Sequence, residues 1–310
     1  MTSNGAKITL RRPSKGDVKM RLSTNTTDYL VRHRSIEEVI GMIAKAGFDA
    51  FDLSLEQANI WGDDPMVFAE RAKAASEKYG IPCNQAHAPF PSSVGDEEKD
   101  EIRFNEIVTA MEVASKVGAE TIIVHPKTHL SYLVEENREI LKKLNYEFYK
   151  RLIPYCEKFN IKVATENMWQ FDENKVIVDS VCASAEEFSE YIDMLDSPYI
   201  VGCLDLGHVV LVRRDLPDMI RKMGKNRIRA LHVHDNSLKS DTHTLPYIMN
   251  MKYYDTTTAL ADIGYDDDFT FESDTFFAKL PPALLQDGLN FACAVGRFMV
   301  AEIEEKKKQK

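Results

Sequence analysis

The 310-residue sequence lacks the run of about 18 apolar residues that would indicate a membrane-spanning helix. Its first nineteen residues are polar and basic, and they do not resemble a secretory signal peptide. Its five cysteines are scattered along the chain without Cys-x-x-Cys spacing, which predicts free thiols in a reducing compartment. These absences predict a cytoplasmic protein with no membrane segment.

An excess of positive charge is also missing. The sequence has 39 Lys and Arg against 49 Asp and Glu, and its formal net charge is −10. Such a balance disfavours non-specific binding to nucleic acid, although it does not exclude a local basic groove. We therefore expect a small-molecule partner, and the sequence leaves open whether the chain forms a homo-oligomer.

Short β-prone runs alternate with longer amphipathic segments along most of the chain. The predicted strands are residues 20–25, 50–55, 83–88, 120–125, 162–167, 200–205, 229–234 and 269–274. The predicted helices are residues 35–47, 65–80, 97–118, 132–158, 184–195, 212–225, 254–263 and 282–304. Eight strand–helix units without a composition break predict a single (β/α)8 TIM barrel of the α/β class. A doubly wound open sheet is disfavoured because no Gly-x-Gly-x-x-Gly motif follows the first strand.

Local signals fix several element boundaries. Ser35 with Glu38, and Ser184 with Glu187, have the spacing of capping boxes, and Gly47, Gly118 and Gly264 follow predicted helix ends. The predicted organisation is a flexible N-terminal extension over residues 1–19, a barrel over 20–305 and a charged tail over 306–310.

Ionisable side chains collect where the predicted strands end. They are His87, His125, Glu166, Asp205, His232, His234 and Glu272, joined by His208, Asp241 and His243 from the following segments. A single histidine or carboxylate at a strand end is more often a structural residue than a ligand. Strand ends of a barrel meet at one rim, however, and several carboxylates in one cavity would repel one another unless a cation were present. The pattern therefore predicts a divalent metal site.

Four consecutive strand ends supply the predicted direct ligands, which are Glu166, Asp205, His232 and Glu272. Three carboxylates and one imidazole suit Mn²⁺, Co²⁺, Mg²⁺ or Zn²⁺ with positions left open for water or substrate. The remaining histidines and Asp241, namely His87, His125, His208, His234, Asp241 and His243, are predicted to bind a second metal or the substrate.

The motifs "HAPF", "TEN", "LDLGH", "HVHDN", "DTHTLP" and "FESD", in this order, resemble those of the xylose-isomerase-like superfamily from about residue 20 to 298. Within it the chain looks most like the sugar phosphate isomerase/epimerase group. The resemblance implies that Glu166 and Glu272 bind the metal and also move a proton at the carbon alpha to a carbonyl, through an enediolate. It further implies substrate contacts for His208, and for Trp169 either a substrate contact or a packing role.

The sequence departs from ketose 3-epimerases, which follow the first glutamate with a pattern ending in Asn-Arg where this chain has "ENMWQ". They also have an arginine after the "HVHDN" position, which Lys239 would replace as a substrate contact. These departures bear on the particular ketohexose activity, not on metal-dependent enolisation. A sugar or cyclitol dehydratase or lyase on the same site is a second alternative.

The superfamily also contains the type IV apurinic endonucleases, whose three zinc ions use nine positions. All nine have a matching residue: His87, His125, Glu166, Asp205, His208, His232, Asp241, His243 and Glu272. The loop after the first predicted strand offers Arg32 and Arg34, but the next two loops are acidic, which disfavours DNA. A barrel that binds sugar without turnover is the non-enzymatic alternative, and no lost ligand position favours it.

Overall fold

The computed structural model describes residues 20–26, 34–62 and 64–309. Eight parallel strands form its central sheet, in the order β10-β1-β2-β3-β4-β5-β8-β9. Their bounds are β1 Leu22–Asn25, β2 Ala50–Ser54, β3 Cys83–His87, β4 Thr121–Ile123, β5 Lys162–Glu166, β8 Ile200–Asp205, β9 Ile228–His232 and β10 Phe269–Phe271. A parallel bridge between Val233 and Phe271 joins the two ends of this sheet. The predicted (β/α)8 TIM barrel is confirmed.

Helices cover the outside of the barrel. They are α1 Ile36–Ala46, α2 Pro65–Tyr79, α3 Glu97–Val117, α4 Glu135–Phe159, α5 Ala185–Asp193, α6 Leu206–Leu211, α7 Leu216–Met223, α8 Tyr254–Asp262, α9 Asp274–Ala278 and α10 Leu285–Lys308. Helix α10 continues through Lys308, so most of the predicted charged tail is helical. The predicted extension over residues 1–19 lies outside the described residues.

The predicted helix caps have a physical basis in the structure. Ser35 and Glu38 form a reciprocal capping box at the start of α1. Ser184 accepts a hydrogen bond from the Glu187 N–H, but the Glu187 carboxylate accepts from the Cys182 N–H, so the second box is only half formed. Gly118 ends α3 in the left-handed region at φ 106°, which a residue with a Cβ rarely adopts.

Alternation along the strands divides the core into two parts. Outward residues such as Leu53 and Leu204 pack under the helices in one large apolar cluster. Inward residues of β4, β5, β8 and β9 form a small second cluster inside the barrel: Ile123, Ala164, Val201, Cys203 and Ala230. Because side chains alternate with a period of two, Glu166, Asp205 and His232 share the inward face of that second cluster.

Two strands and two helices were absent from the sequence prediction. Strands β6 Trp169–Phe171 and β7 Ile177–Asp179 form an antiparallel hairpin after β5. Helix α6 follows β8 without a loop, and helix α9 follows β10 closely. All five cysteines are buried and free, as expected. None of the described helices has the length and apolarity needed to cross a membrane.

Candidate functional site

The four predicted ligands meet inside the C-terminal rim of the barrel. Ligand atoms of Glu166, Asp205, His232 and Glu272 all lie within 4.8 Å of one another. The Nδ1 atom of His232 is 3.3 Å from Glu166 Oε1, 3.4 Å from Glu272 Oε2 and 4.0 Å from Asp205 Oδ2. All four side chains are buried. The structure therefore brings together the set that strand-end analysis selected.

Two further histidines border this set. His125 Nε2 lies 3.1 Å from Glu166 Oε2, and His87 Nε2 lies 3.5 Å from Glu272 Oε1. The ring of His87 stacks on that of His232 with centroids 4.4 Å apart. His87, His125 and Glu166 form a second group of potential ligand atoms within 4.8 Å.

A third group comprises His208, His234, Asp241 and His243. Asp241 Oδ2 lies 3.0 Å from both His208 Nε2 and His243 Nε2. His234 Nε2 lies 3.0 Å from Asp205 Oδ2, which connects this group to the first. The sequence-predicted histidines and Asp241 thus form one continuous cluster at the rim.

Local structure at the end of β8 explains how His208 and His234 reach the cluster. Asp205 caps α6 by accepting the His208 N–H at 2.7 Å, so the helix begins at the strand end. A Cβ on Gly207 would lie only 2.1 Å from the His234 ring. Glycine in "LDLGH" therefore provides the space that His234 occupies. Asn167 joins β5 to β8 by donating to the Asp205 carbonyl and accepting its N–H.

Hydrogen bonds of two buried side chains, Asp235 and Tyr253, anchor the loop after β9. The buried Asp235 carboxylate accepts the backbone N–H groups of Met249 and Met251, each at 2.9 Å. Tyr253 donates its hydroxyl to the His234 carbonyl at 2.7 Å. These bonds hold the segment that carries Asp241 and His243 against the rim.

Among the described residues, the ion-pair partners of the ligand carboxylates are all imidazoles. Among the described residues no lysine or arginine forms an ion pair with Glu166, Asp205 or Glu272. Buried atoms that form no hydrogen bond include His232 Nε2 and Glu166 Oε2, although His125 Nε2 lies 3.1 Å from that oxygen. Buried polar atoms normally form hydrogen bonds. Oxygen and nitrogen atoms that form none, in a cavity rich in carboxylates, fit the ligands of a divalent cation.

The pKa shifts follow from burial and proximity. Burial raises the pKa of Glu272 well above its usual range, and repulsion from Glu166 and Asp205 acts in the same direction. Burial also opposes ionisation of Glu166, but the imidazoles of His232 and His125 bring its pKa well below the usual range. Burial lowers the pKa of His232. Ionisation of all the ligand carboxylates together is thus unfavourable without added positive charge.

The two predicted substrate contacts lie in different surroundings. Trp169 Nε1 donates to Asp241 Oδ2 at 3.1 Å, which places its half-buried indole beside the third group. The Lys239 side chain is exposed in the loop after β9, and its backbone N–H donates to Ser237 Oγ at 3.3 Å.

Sequence reasoning missed Asp52 on β2, whose Oδ2 lies 3.4 Å from His87 Nδ1. It also missed Asp274, whose Oδ1 accepts from Asn25 at 2.7 Å. The signal was present in both places. Asp52 interrupts the apolar strand "AFDLSL" at an inward position, and Asp274 closes the motif "FESD".

The fold and the rim cluster define a TIM barrel with a candidate metal centre. Residues 40–294 match the family described as xylose isomerase-like TIM barrel, and the chain belongs to this family. The match confirms the resemblance found in the motifs.

Comparison with individual proteins gives the same class. The chain is 23% identical to fructoselysine 3-epimerase of Escherichia coli O157:H7 over 246 residues, which cover 75% of this chain and 86% of that protein. A D-tagatose 3-epimerase-like protein superposes with a TM-score of 0.72 at 19% identity, covering 94% of this chain and 99% of that one. The IolI protein with a bound zinc atom gives 0.70 at 15% identity, covering 93% and 99%. The expectation of an enzyme of the isomerase and epimerase class is confirmed.

Proposed function

We propose that this enzyme is a divalent-metal-dependent isomerase or epimerase of a sugar or sugar phosphate. The observation that carries the proposal is the buried group Glu166, Asp205, His232 and Glu272, whose ligand atoms lie within 4.8 Å and have no lysine or arginine partner among the described residues. Similarity to fructoselysine 3-epimerase supports the carbohydrate substrate class.

These four residues would hold the cation. Their oxygen and nitrogen donors suit Mn²⁺, Co²⁺, Mg²⁺ or Zn²⁺, and the absence of sulfur from the set argues against a purely structural zinc. A bound divalent cation would supply a Lewis acid that polarises the substrate carbonyl.

The chain's own contribution is proton transfer by two carboxylates on strands separated by β8 and β9. One of Glu166 and Glu272 removes the proton alpha to the carbonyl, leaving an enediolate, and the other returns a proton to the opposite face. Their imidazole neighbours differ, since Glu166 faces His125 and Glu272 faces His87. Both carboxylates also lie close to the same ring nitrogen, with Glu166 Oε1 3.3 Å and Glu272 Oε2 3.4 Å from His232 Nδ1.

The third group would orient the substrate. His208 and His243 present imidazoles around Asp241, and Trp169 covers the same carboxylate, so hydroxyl groups and an apolar sugar face would both find contacts here. Lys239, exposed on the same loop, would contact a charged or distal part of the substrate.

A second candidate is phosphodiester hydrolysis at three zinc ions. The observation in its favour is that all nine positions lie within three adjoining groups of potential ligand atoms, which also include His234. Against it, the start of α3 near the rim carries exposed acidic residues, Asp96, Glu97, Glu98 and Glu101, which would repel a phosphate backbone. The sequence offered Arg32 and Arg34 as basic residues that could contact phosphate. Of these, Arg32 lies outside the described residues.

Metal stoichiometry and a substrate panel separate the candidates. Elemental analysis of protein purified without added metal should give about one Mn, Co, Mg or Zn per chain. Ketohexoses, fructoselysine and their phosphates are then incubated in D₂O, and the expected result is deuterium at the epimerised carbon without loss of water. Elimination of water would favour a dehydratase. About three zinc ions with cleavage of abasic DNA would overturn the proposal.

A further inference from the structure

The interior of the barrel is polar on one side. Strands β4, β5, β8 and β9 supply its apolar cluster, whereas β1, β2, β3 and β10 contribute polar side chains. The polar residues are Ser23, Asp52, Asn84, Gln85 and Thr270, and each is at most 2% exposed. Polar groups in a barrel core cost free energy unless they are paired, so their partners indicate what they do.

A β-bulge brings two consecutive residues of β3 into this interior. Phe51 pairs with Cys83 but Asp52 pairs with Gln85, so β3 has one extra residue, Asn84. Successive strand residues normally face opposite sides, and a bulge removes that restriction. Asn84 contacts Ser23 and Gln85 contacts Asp52, both inside the barrel.

The hydrogen bonds among these residues all run in one direction. Ser23 Oγ donates to Asn84 Oδ1 at 2.7 Å, and Asn84 Nδ2 donates to Thr270 Oγ1 at 3.2 Å. Thr270 Oγ1 donates to Gln85 Oε1 at 3.3 Å, and Gln85 Nε2 donates to Asp52 Oδ2 at 3.1 Å. Donors pointing along a chain polarise one another and stabilise negative charge at its end. That end is the Asp52 carboxylate.

The His87 ring lies between Asp52 and Glu272 of the candidate site. The Asp52 Oδ2 atom is 3.4 Å from His87 Nδ1, and the opposite ring nitrogen, Nε2, is 3.5 Å from Glu272 Oε1. Among the described residues Asp52 has no lysine or arginine ion-pair partner. Gln85 Nε2 donates a hydrogen bond to Asp52 Oδ2, whereas His87 Nδ1 lies at ion-pair distance from the same oxygen without forming a hydrogen bond.

We propose that Asp52 is a positioning residue that acts through His87. Held by the directed chain, its carboxylate keeps the Nδ1–H of His87 toward itself and so aims Nε2 at Glu272. A carboxylate behind a histidine is a common way to fix which ring nitrogen faces a reacting or metal-binding group. The kinetic part of this proposal rests on the proposed function, but the orientation of His87 does not.

The first test is spectroscopic and uses metal-free protein with ¹⁵N-labelled histidine. A ¹⁵N-coupled proton far downfield of the amides is expected for His87 Nδ1–H, identified by its loss in His87→Gln. Asp52→Asn should abolish that signal or shift it upfield. Gln85→Leu, which removes the donor to Asp52, should broaden it through faster exchange with water. Asp266→Asn, at the other end of the barrel, is the matched control and should leave it unchanged.

The second test is a double-mutant cycle on the metal-loaded enzyme. Asp52→Asn should lower kcat by about 10- to 100-fold with KM changed less than threefold and metal stoichiometry retained. In the His87→Gln background the same substitution should lower kcat by less than twofold, because its effect passes through that ring.

The outcomes separate the two proposals. A wild-type spectrum without the downfield proton, or one that Asp52→Asn leaves unmoved, would overturn the role of Asp52. An equal loss of kcat in both backgrounds would overturn the path through His87. Absence of any epimerisation by the wild type would instead overturn the proposed function, and the spectroscopic result would still stand. Should Asp52→Asn fail to fold, Gln85→Leu carries the same test.

Discussion

The two ends of the barrel interior carry acids in opposite electrostatic settings. At the C-terminal end, the ion-pair partners of Glu166, Asp205 and Glu272 among the described residues are all imidazoles. At the N-terminal end, Asp268 accepts two bonds from Arg21 at 2.6 and 2.9 Å. Arginine keeps its charge under all ordinary conditions, whereas a buried imidazole need not. The N-terminal end has a permanent positive charge, whereas positive charge at the C-terminal end depends on imidazole protonation or on a bound cation.

The N-terminal end also surrounds a cavity of about 180 Å³. Its basic residues include Lys162 and Arg229, and Arg229 lies 3.1 Å from Asp267. In TIM barrels, polar residues at this end serve stability, whereas the C-terminal end carries catalysis. The contrast teaches that the number of buried acids does not identify a functional site. Such a site is identified by buried acids that have no permanently charged partner.

The largest expected effect comes from the same acid-to-amide change made at each end. Glu166→Gln should lose the cation and lower epimerisation by about 10²- to 10⁴-fold, since it removes both a ligand and a proton-transfer group. Asp268→Asn should keep the metal and kcat within about twofold. Elemental analysis and turnover of both purified variants provide the measurement. Equal metal loss in the two variants would break the comparison.

Metal removal should affect stability through one end only. A cation at 100 times its Kd adds about 2.7 kcal/mol to the free energy of unfolding of the wild type. Chelation should remove this contribution and re-addition restore it, as followed by thermal or urea unfolding. The Asp205→Asn variant should respond weakly to metal, whereas Asp268→Asn should respond like the wild type. An undiminished response in Asp205→Asn would show that the cation binds elsewhere.

Removal of the fixed charge at the N-terminal end should cost stability but not catalysis. Arg21→Ala leaves the Asp268 carboxylate, whose side chain is 14% exposed, without the two hydrogen bonds that Arg21 donates to it. We expect a loss of about 2 kcal/mol in the free energy of unfolding, the usual cost of an unsatisfied, largely buried group. Urea unfolding measures it, with kcat as the internal control. Arg21→Met retains the aliphatic stem and separates lost packing from lost charge.

The residues at the rim could be predicted from the sequence because the features that place them there are local. Strand alternation places Glu166, Asp205 and His232 on one face, and parallel strands bring their ends together whatever the loops do. The eight strands were therefore found in order, with ends displaced by up to three residues, as at β10, which ends at Phe271 where the prediction extended to residue 274.

The missed features depend on contacts that no single segment encodes. The bulge at Asn84 arises from the register between β2 and β3, and it alone explains why adjacent Asn84 and Gln85 both face inward. Helix α6 begins at a strand end because Asp205 doubles as its cap. The two strands of the β6–β7 hairpin have three residues each, which is too short for a strand signal to be read from the sequence. Contacts between segments, and not the composition of any one segment, determine the bulge, the start of α6 and the hairpin.

The smallest expected effect concerns an acid at the N-terminal end that its basic neighbour does not fully compensate. Burial raises the pKa of Asp267 to about 6, with Asp266 and Asp268 acting in the same direction and Arg229 opposing them. Its Oδ2 atom is buried without a hydrogen-bond partner. Because the folded state holds this proton more tightly than the unfolded state, stability falls as pH rises from about 4 to about 6.

Asp267→Asn should remove that part of the pH dependence. Above pH 6 the variant should equal or exceed the wild type by up to about 1 kcal/mol, a figure reduced for the partial exposure of the carboxylate. Below pH 4 the two proteins should be alike, since the wild-type carboxyl is then protonated in both states. Urea unfolding at pH 4 and pH 8, with Asp266→Asn as control, measures the difference. A less stable variant at pH 8 would mean that the Arg229 pair outweighs burial, and the N-terminal end would then be fully charge-compensated.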